Sequence, residues 1–370
     1  TWQVGMLDYS FGDLGLYDMR PAQVLGDTVG VFARYDHGRV DLVAGVGDAG
    51  WRLRQNQYNT VFSLGGTLRV RVLPQLEVGL GGQAWLEPSN RGNRFAPHAT
   101  PDVDYADLVR GEVAEQWIFD NPGMESQFPR PVPRSAQGGK LVGYLGTGKW
   151  GRLRWNNLFA SLERKLPDQF VTETFAGNEY LIYVADLTDE RTVMTVGNEM
   201  HLALVRDKLD AVWGVLWGRH VDADNQVAPS DHDRTYASTV LRAQAYVSPG
   251  LHVLAETSLA REHSSNGNTY RNRKDSVFRS TDGLSDARGL EFGDADTRVT
   301  WQGKAGLVLS PRGTGIYTRP SLRLLYGVQH STQNLAFGNS FAESLDQSEI
   351  FMPVEQHWHH VIAVEAEAWF

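Results

Sequence analysis

The sequence of 370 residues contains no cysteine. This absence excludes a disulfide-bonded scaffold, a zinc site with thiolate ligands and a cysteine nucleophile. The sequence opens at Thr1 with neither a methionine nor a leader segment. Such a start is expected of a protein whose secretory signal has been removed, or of a fragment.

Long hydrophobic runs and a surplus of basic residues are also missing. No segment approaches the roughly 18 to 20 consecutive apolar residues of a transmembrane helix. The 35 lysines and arginines are outnumbered by 44 acidic residues, for a net charge of -9. This balance argues against nucleic-acid binding, which requires a basic stripe. The mean hydropathy of -0.35 is compatible with a soluble protein. It is equally compatible with a transmembrane β-barrel, because only alternate residues of a barrel strand meet lipid.

The pattern that is present has a period of two residues. Between Leu76 and Leu86, apolar or small residues alternate with mostly polar ones, and residues 62–72 behave in the same way. The residues Leu73-Pro74-Gln75 between them are typical of a tight turn. Repetition of this hairpin pattern predicts about fourteen strands. We place them at residues 2–9, 28–36, 39–47, 60–73, 76–86, 140–148, 151–162, 191–205, 209–219, 234–247, 251–261, 297–309, 315–328 and 359–370.

Short and long connections between these strands alternate strictly. The long connections are residues 10–27, 48–59, 87–139, 163–190, 220–233, 262–296 and 329–358. Outer-membrane barrels have short periplasmic turns and long external loops. The sequence therefore predicts an all-β fold, an antiparallel transmembrane β-barrel of about 14 to 18 strands. We expect residues 1–370 to form this single barrel, in contact with the lipid of the bacterial outer membrane.

If the apolar faces of the strands meet lipid, the opposite faces line the lumen. The residues predicted to lie on the inner wall and to bind substrate are Trp85, Arg152, Arg154, Tyr236, Tyr317, Arg319, Arg323, Glu365, Glu367 and Trp369. This mixture suits sugars, because a pyranose stacks its C–H face on an aromatic ring while its hydroxyl groups bond to charged side chains. For any single charged residue, the alternative is a solvated ion pair that braces the wall. Trp213 and Trp217 lie on the outward parity, where lipid contact or an oligomer interface is expected.

The C-terminal half of the chain, from about Arg191 to Phe370, resembles maltoporin, the family of sugar-specific porins. The most specific match runs from Gly315 to Arg323 and is similar to the family's strand with the pattern aromatic-Ser-Arg-Pro-Ala-Ile-Arg. A long loop and a final strand that ends in two aromatic residues, Trp369-Phe370, follow in both. The segment Leu7 to Gly47 resembles the family loosely.

This resemblance implies a homotrimer of eighteen-stranded barrels that pass malto-oligosaccharides along a spiral of aromatic residues called the greasy slide. Tyr317 stands where the family has a slide tryptophan, and Trp369 stands at another slide position. Tyr17 falls in what resembles the constriction loop that folds into the barrel. The sequence departs from the family in having about fourteen strands and in lacking the portion that supplies the first slide aromatics.

The function predicted from the sequence is passive, selective diffusion of oligosaccharides such as maltodextrins into the periplasm. It implies no enzymatic activity, cofactor or metal. Two transport alternatives are a general porin and a channel for polysaccharide export. A surface barrel enzyme and an adhesive barrel are further alternatives. The enzyme would need a nucleophile and a base that converge on one rim, and the sequence shows no such set.

Overall fold

The computed structural model describes residues 1–11, 23–49, 61–87, 136–164, 170–175, 178–183, 192–221, 234–264, 297–332 and 357–368. Sixteen strands lie in these ranges: β1 (Trp2–Ser10), β2 (Gln23–His37), β3 (Val40–Asp48), β4 (Phe62–Leu73), β5 (Leu76–Glu87), β6 (Ala136–Trp150), β7 (Leu153–Arg164), β8 (Phe170–Phe175), β9 (Asn178–Tyr183), β10 (Thr192–Val205), β11 (Leu209–Val221), β12 (Arg234–Tyr246), β13 (Leu251–Ser264), β14 (Thr297–Leu309), β15 (Ser321–Ser331) and β16 (Trp358–Glu367). The described residues contain no helix long and apolar enough to cross a membrane.

Fourteen of the strands form one antiparallel sheet in chain order. The remaining two, β8 and β9, form a separate hairpin within the predicted loop 163–190. In the described residues, β1 and β16 are the edges of the sheet and are not hydrogen-bonded to each other. The predicted fold class is confirmed, with a strand number at the lower end of the predicted range.

The predicted alternation of short and long connections is confirmed except between β14 and β15, where the predicted short turn is a longer connection of residues 310–320. The turn between β2 and β3 contains Gly38, with a φ of 58°, and the turn between β6 and β7 contains Gly151, with a φ of 57°. Both values lie in the left-handed region that glycine adopts without steric cost. Since consecutive strands run antiparallel, all the short connections lie at one end of the sheet and all the long ones at the other.

The two faces of the sheet differ as predicted. The outward face is apolar, with Leu64 exposed by 65%, Leu80 by 57% and Ile362 by 77%. The inner face carries buried polar residues, such as Gln83, whose amide donates hydrogen bonds to Ser63 at 2.6 Å and to Thr28 at 2.8 Å. A largely apolar outward surface across the fourteen-stranded sheet is the surface that lipid covers. The protein therefore has the architecture of a bacterial outer-membrane barrel, and the predicted location is confirmed.

Several predicted strand boundaries differ from the structure: β2 begins at Gln23 rather than at residue 28, and β6 begins at Ala136 rather than at residue 140. The largest difference is at the start of β15. Residues 315–328 were expected to form one strand, but β15 begins at Ser321, and residues 311–320 form an irregular turn. Gly313 has a φ of 106° and Gly315 a φ of 141°, which interrupt the extended backbone. In a regular strand, Ile316 would face outward, opposite to its neighbour Tyr317, which was predicted to face inward; in the structure Ile316 is buried, with 4% exposure.

Candidate functional site

The end of the β1–β2 hairpin folds inward across the sheet. Tyr9 pairs with Leu25, yet its hydroxyl group lies 3.4 Å from the carboxylate of Asp41, whose own partner in β2 is Asp36. Leu25 and Asp36 are separated by about 35 Å along a straight strand, at about 3.3 Å per residue. The residues Tyr9–Phe11 and Gln23–Leu25, which we call the hairpin end, must therefore turn back over the inner face toward the short turns.

Glycines on the inner face make room for the hairpin end. An added Cβ atom at Gly79 would lie 2.6 Å from the ring of Phe11, and one at Gly81 would lie 2.5 Å from Val24. Such separations are too short for real atoms, so these positions admit the inserted side chains only as glycine. Phe11 is fully buried and stacks on Tyr144, with ring centroids 5.3 Å apart and planes 6° apart. The hairpin end is thus packed against the wall through its apolar side chains.

The turn at residues 311–320, which we call the inner turn, also lies over the inner face. The ring of Tyr317 is 6.3 Å from that of Trp155 in β7 and 6.2 Å from that of His201 in β10. The carbonyl oxygen of Gly315 lies 3.4 Å from the side-chain amide of Gln244 in β12, which donates to it. Since the inner turn joins β14 to β15, these contacts carry it across several strands at the short-turn end of the sheet.

An ionic track runs along the inner face of β12 to β16. In its first part, Glu256 accepts a hydrogen bond from Arg242 at 2.6 Å and pairs with Lys304 at 3.3 Å. In its second part, Arg323 lies 3.4 Å from Glu365 and 2.9 Å from Glu367. Arg319 in the inner turn pairs with Glu367 as well.

A second ionic group lies on the inner face of β2 to β4, beside Tyr9 of the hairpin end. The buried carboxylate of Asp41 accepts hydrogen bonds from Arg34 at 3.0 Å and from Arg69 at 2.8 Å. Because opposite charges are paired in both groups, the inner wall offers donors and acceptors together.

A cavity of about 510 Å³ lies at the short-turn end. Its lining includes Arg69, Glu77, Tyr144, Trp155 and Asn157. The hydroxyl group of Tyr144 donates to Asn157 at 2.9 Å, which links the ring that Phe11 covers to the strand that carries Trp155. The cavity therefore lies beside both inward-folded segments and combines aromatic rings with charged side chains.

Five predicted residues lie on the inner face of strands as expected: Trp85, Tyr236, Arg323, Glu365 and Glu367. Tyr317 and Arg319 also lie inside, although in the inner turn rather than in a strand. Tyr17 and Trp369 lie outside the described residues. The binding role of each of these residues stays a prediction.

The strand after Gly151 is placed differently from the prediction. Arg152, predicted for the inner wall, lies exposed in the turn before β7. Asn156, which the same alternation from Arg152 and Arg154 would place inward, points outward and accepts a hydrogen bond from Asn198. The inward residues of β7 are Trp155, Asn157 and Phe159. The pairing skips Arg154 on both sides of the strand, so a β-bulge shifts the alternation. Arg154 is exposed and still lines the cavity next to Trp155.

The sequence reasoning missed the residues around the inward-folded segments. Phe11, Tyr144, Trp155 and His201 were not selected, although each has an aromatic or imidazole ring inside the sheet. Tyr144 could have been found from the alternation, because it lies two residues after Val142 and on the same inner face of β6. For Phe11 and Trp155 no periodic signal existed, because a connection and a bulge interrupt the alternation there.

In the described residues, no three histidine, aspartate or glutamate side chains are grouped to hold a metal ion. No protein-family model and no curated protein matches the sequence. Solved structures with a resembling chain trace include OmpT, an outer membrane protein of Vibrio cholerae. It has 9% sequence identity and a TM-score of 0.34 over 90% of this chain and 96% of that chain.

Two further structures are similar at the same level. The outer membrane channel DcaP of Acinetobacter baumannii has 10% identity and a TM-score of 0.33, over 98% of this chain and 93% of that one. The CymD monoaromatic hydrocarbon channel has 8% identity and a TM-score of 0.32, over 83% and 79%. The maltoporin resemblance stays a prediction from the sequence motifs. The architecture of an outer-membrane barrel follows from the sheet itself.

Proposed function

We propose that the protein is a passive channel that lets oligosaccharides diffuse across the bacterial outer membrane. The observation that carries the proposal is the pair of rings formed by Trp155 and Tyr317 at the short-turn end, where Trp155 borders the charged cavity. Neither ring belongs to the outward, lipid-facing surface.

The chemistry of a pyranose fits such a wall. One face of the sugar exposes C–H groups that pack on an aromatic ring, and the rim exposes hydroxyl groups that donate and accept hydrogen bonds. Paired arginine and glutamate side chains, such as Arg242 with Glu256, provide both kinds of partner close together. Several shallow contacts of this kind allow a solute to enter and leave, whereas one tight site would trap it.

The inward-folded segments supply the selectivity in this proposal. The hairpin end and the inner turn both occupy the short-turn half of the inner face, where the cavity of about 510 Å³ lies. A path narrowed there brings a passing solute within contact distance of Tyr144, Trp155 and Tyr317. Selection at a narrow point with aromatic contacts requires no cofactor or energy source.

Single-channel conductance tests the proposal. The purified protein is placed in a planar bilayer, and maltohexaose is titrated against a fixed KCl concentration. We expect a saturable block of the ion current. Trp155→Ala and Tyr317→Ala should each raise the sugar concentration that gives half block by about 5- to 10-fold. This factor corresponds to the loss of one aromatic contact of about 1 to 1.4 kcal/mol.

Trp217→Ala is the matched control, because this tryptophan lies on the outward face. It should leave the block unchanged. Ion current that no sugar blocks would point instead to a general porin or to a different solute. A bilayer without conductance would favour the enzyme or adhesin alternative. Assembly into a homotrimer stays a prediction of the maltoporin resemblance, to be tested by crosslinking.

A further inference from the structure

The outward face of β11 to β13 carries two arginines at the long-loop end. Arg219 pairs across the sheet with Thr235, and Arg261 pairs with Ala237 two residues further along β12. Residues directly opposite in an antiparallel pair point to the same face, so both arginines lie on the side of the exposed Trp217, which also pairs with Ala237. Both arginine side chains are exposed.

The two arginines are placed to act together. They flank β12, so their Cα atoms are separated by about 10 Å across the sheet and about 7 Å along it, from the standard strand spacings. Only the small side chains of Thr235 and Ala237 lie between them on β12. Arginine has a long side chain that ends in a forked guanidinium group with five N–H donors. Both guanidinium groups can therefore bind one anionic group above β12.

No carboxylate neutralises this pair within the described part of the chain, where neither Arg219 nor Arg261 forms an ion pair. The outward residues of β7 and of β10 to β14 include no aspartate or glutamate. Among the remaining described strands, β3 carries an outward carboxylate, Asp48. It accepts a hydrogen bond from the backbone N–H of Val61 and lies on a different part of the sheet from the two arginines. Within the described residues, the two arginines are therefore free to pair with an anionic group from outside the chain.

An apolar groove of about 540 Å³ begins beside Arg261. Its outward lining includes Leu158, Val196, Val215, Trp217 and Leu259, with Arg261 among the residues that border it. The polar groups beside it are already bonded: Thr239 accepts from the indole of Trp213 and donates to the carbonyl of Gly214. The groove therefore offers an apolar surface for a hydrocarbon chain, next to a basic site for its headgroup.

We propose that Arg219, Arg261 and this groove bind a phosphorylated, acylated glycolipid of the external leaflet, with a phosphate on the arginines and an acyl chain in the groove. The long loops of an outer-membrane barrel are external, which places the site in that leaflet. Phosphate suits a pair of guanidinium groups, since these donate two parallel hydrogen bonds to its oxygens. A second copy of the chain is the less suitable occupant, because a symmetric contact through this face would bring arginine against arginine.

The proposal rests on the membrane location and on the orientation of the barrel, and it is independent of the solute that passes through the lumen. Natively folded protein in detergent is titrated with diphosphorylated lipid A, and bound lipid is measured by native mass spectrometry. We expect the double variant Arg219→Gln/Arg261→Gln to weaken binding by about 10- to 30-fold, as for loss of two basic contacts to an anionic lipid. Lipid A without phosphates should bind the unaltered protein as weakly as diphosphorylated lipid A binds the variant.

Arg206→Gln is the control, because Arg206 lies in the turn at the opposite end of the sheet, with 89% of its side chain exposed. It should bind like the unaltered protein. Migration of the unheated variants as compact species in denaturing gels verifies that they are folded.

Equal binding by the double variant, or equal binding of the phosphate-free lipid, would overturn the proposal. So would a disulfide-linked dimer formed in membranes by Thr235→Cys. The chain has no other cysteine, and such a dimer would show that a second copy covers the face.

Discussion

Replacing Phe11 with alanine should loosen the hairpin end and leave the strands of the sheet in place. Phe11 is fully buried, stacks on Tyr144 at 5.3 Å, and occupies the space that Gly79 leaves open. Truncation of a buried phenylalanine costs about 3 to 5 kcal/mol, part of it through the cavity that remains. This loss should destabilise the packing of the hairpin end rather than the sheet, because Phe11 lies beyond the last residue of β1.

The size of the effect follows from that loss. The hairpin end has two states: packed against the inner face, which we call seated, and detached from it, which we call released. If the seated state loses about 3 kcal/mol, the ratio of released to seated molecules rises by about 150-fold, at 1.4 kcal/mol per factor of ten. Val24 and Leu25 remain buried in the same cluster and keep the seated state in the majority. We therefore expect brief events of higher conductance, rather than a permanently wider channel.

Single-channel recording measures the frequency of these events directly. Phe62→Ala is the matched control, because Phe62 lies on the outward face and is 54% exposed. It should behave as the unaltered protein does. A Phe11→Ala channel whose conductance and event frequency equal those of the unaltered protein would refute the argument that the hairpin end narrows the path.

Three other changes have defined outcomes. Gly81→Val places a side chain where Val24 now lies, so the high-conductance events should become frequent here too, and recordings free of them would contradict the tight fit. Asp41→Asn removes the negative charge that Arg34 and Arg69 share. The free energy of unfolding in urea should fall by about 2 kcal/mol, less than for a fully buried pair because Arg34 is partly exposed. An unchanged midpoint of unfolding would show that this ionic group does not stabilise the fold. Arg323→Gln leaves two inner-wall glutamates without that arginine, so the reversal potential in a KCl gradient should shift toward cation selectivity, whereas no shift would place the ionic track away from the ion path.

The sequence predicted the strands and faces wherever alternation is unbroken. The β4–β5 hairpin shows this: its apolar residues face outward, and Trp85 faces inward with 6% exposure. In the last strand Glu365 and Glu367 face inward, also as predicted. A sheet with one face in lipid and one face polar forces this two-residue period onto the sequence.

The side-chain orientations could not be predicted where the chain departs from regular strand pairing. The bulge at Arg154 reverses the alternation within β7, so the inward ring there belongs to Trp155. The inner turn contains Tyr317, and its irregular backbone could not be distinguished from a strand by alternation alone. The space that Phe11 occupies exists because Gly79 has no side chain. The sequence alone does not show that these two residues approach each other in the fold.

Liposome swelling measures the passage of sugar through the protein directly, without relying on block of an ion current. Vesicles that contain the purified protein are diluted into isosmotic solutions of maltose through maltoheptaose, and the rate of swelling is recorded by light scattering. We expect swelling with each sugar, at rates that fall when Trp155 and Tyr317 are both replaced by alanine. Vesicles that swell no faster than protein-free ones, or at rates equal in the unaltered and doubly substituted protein, would contradict it.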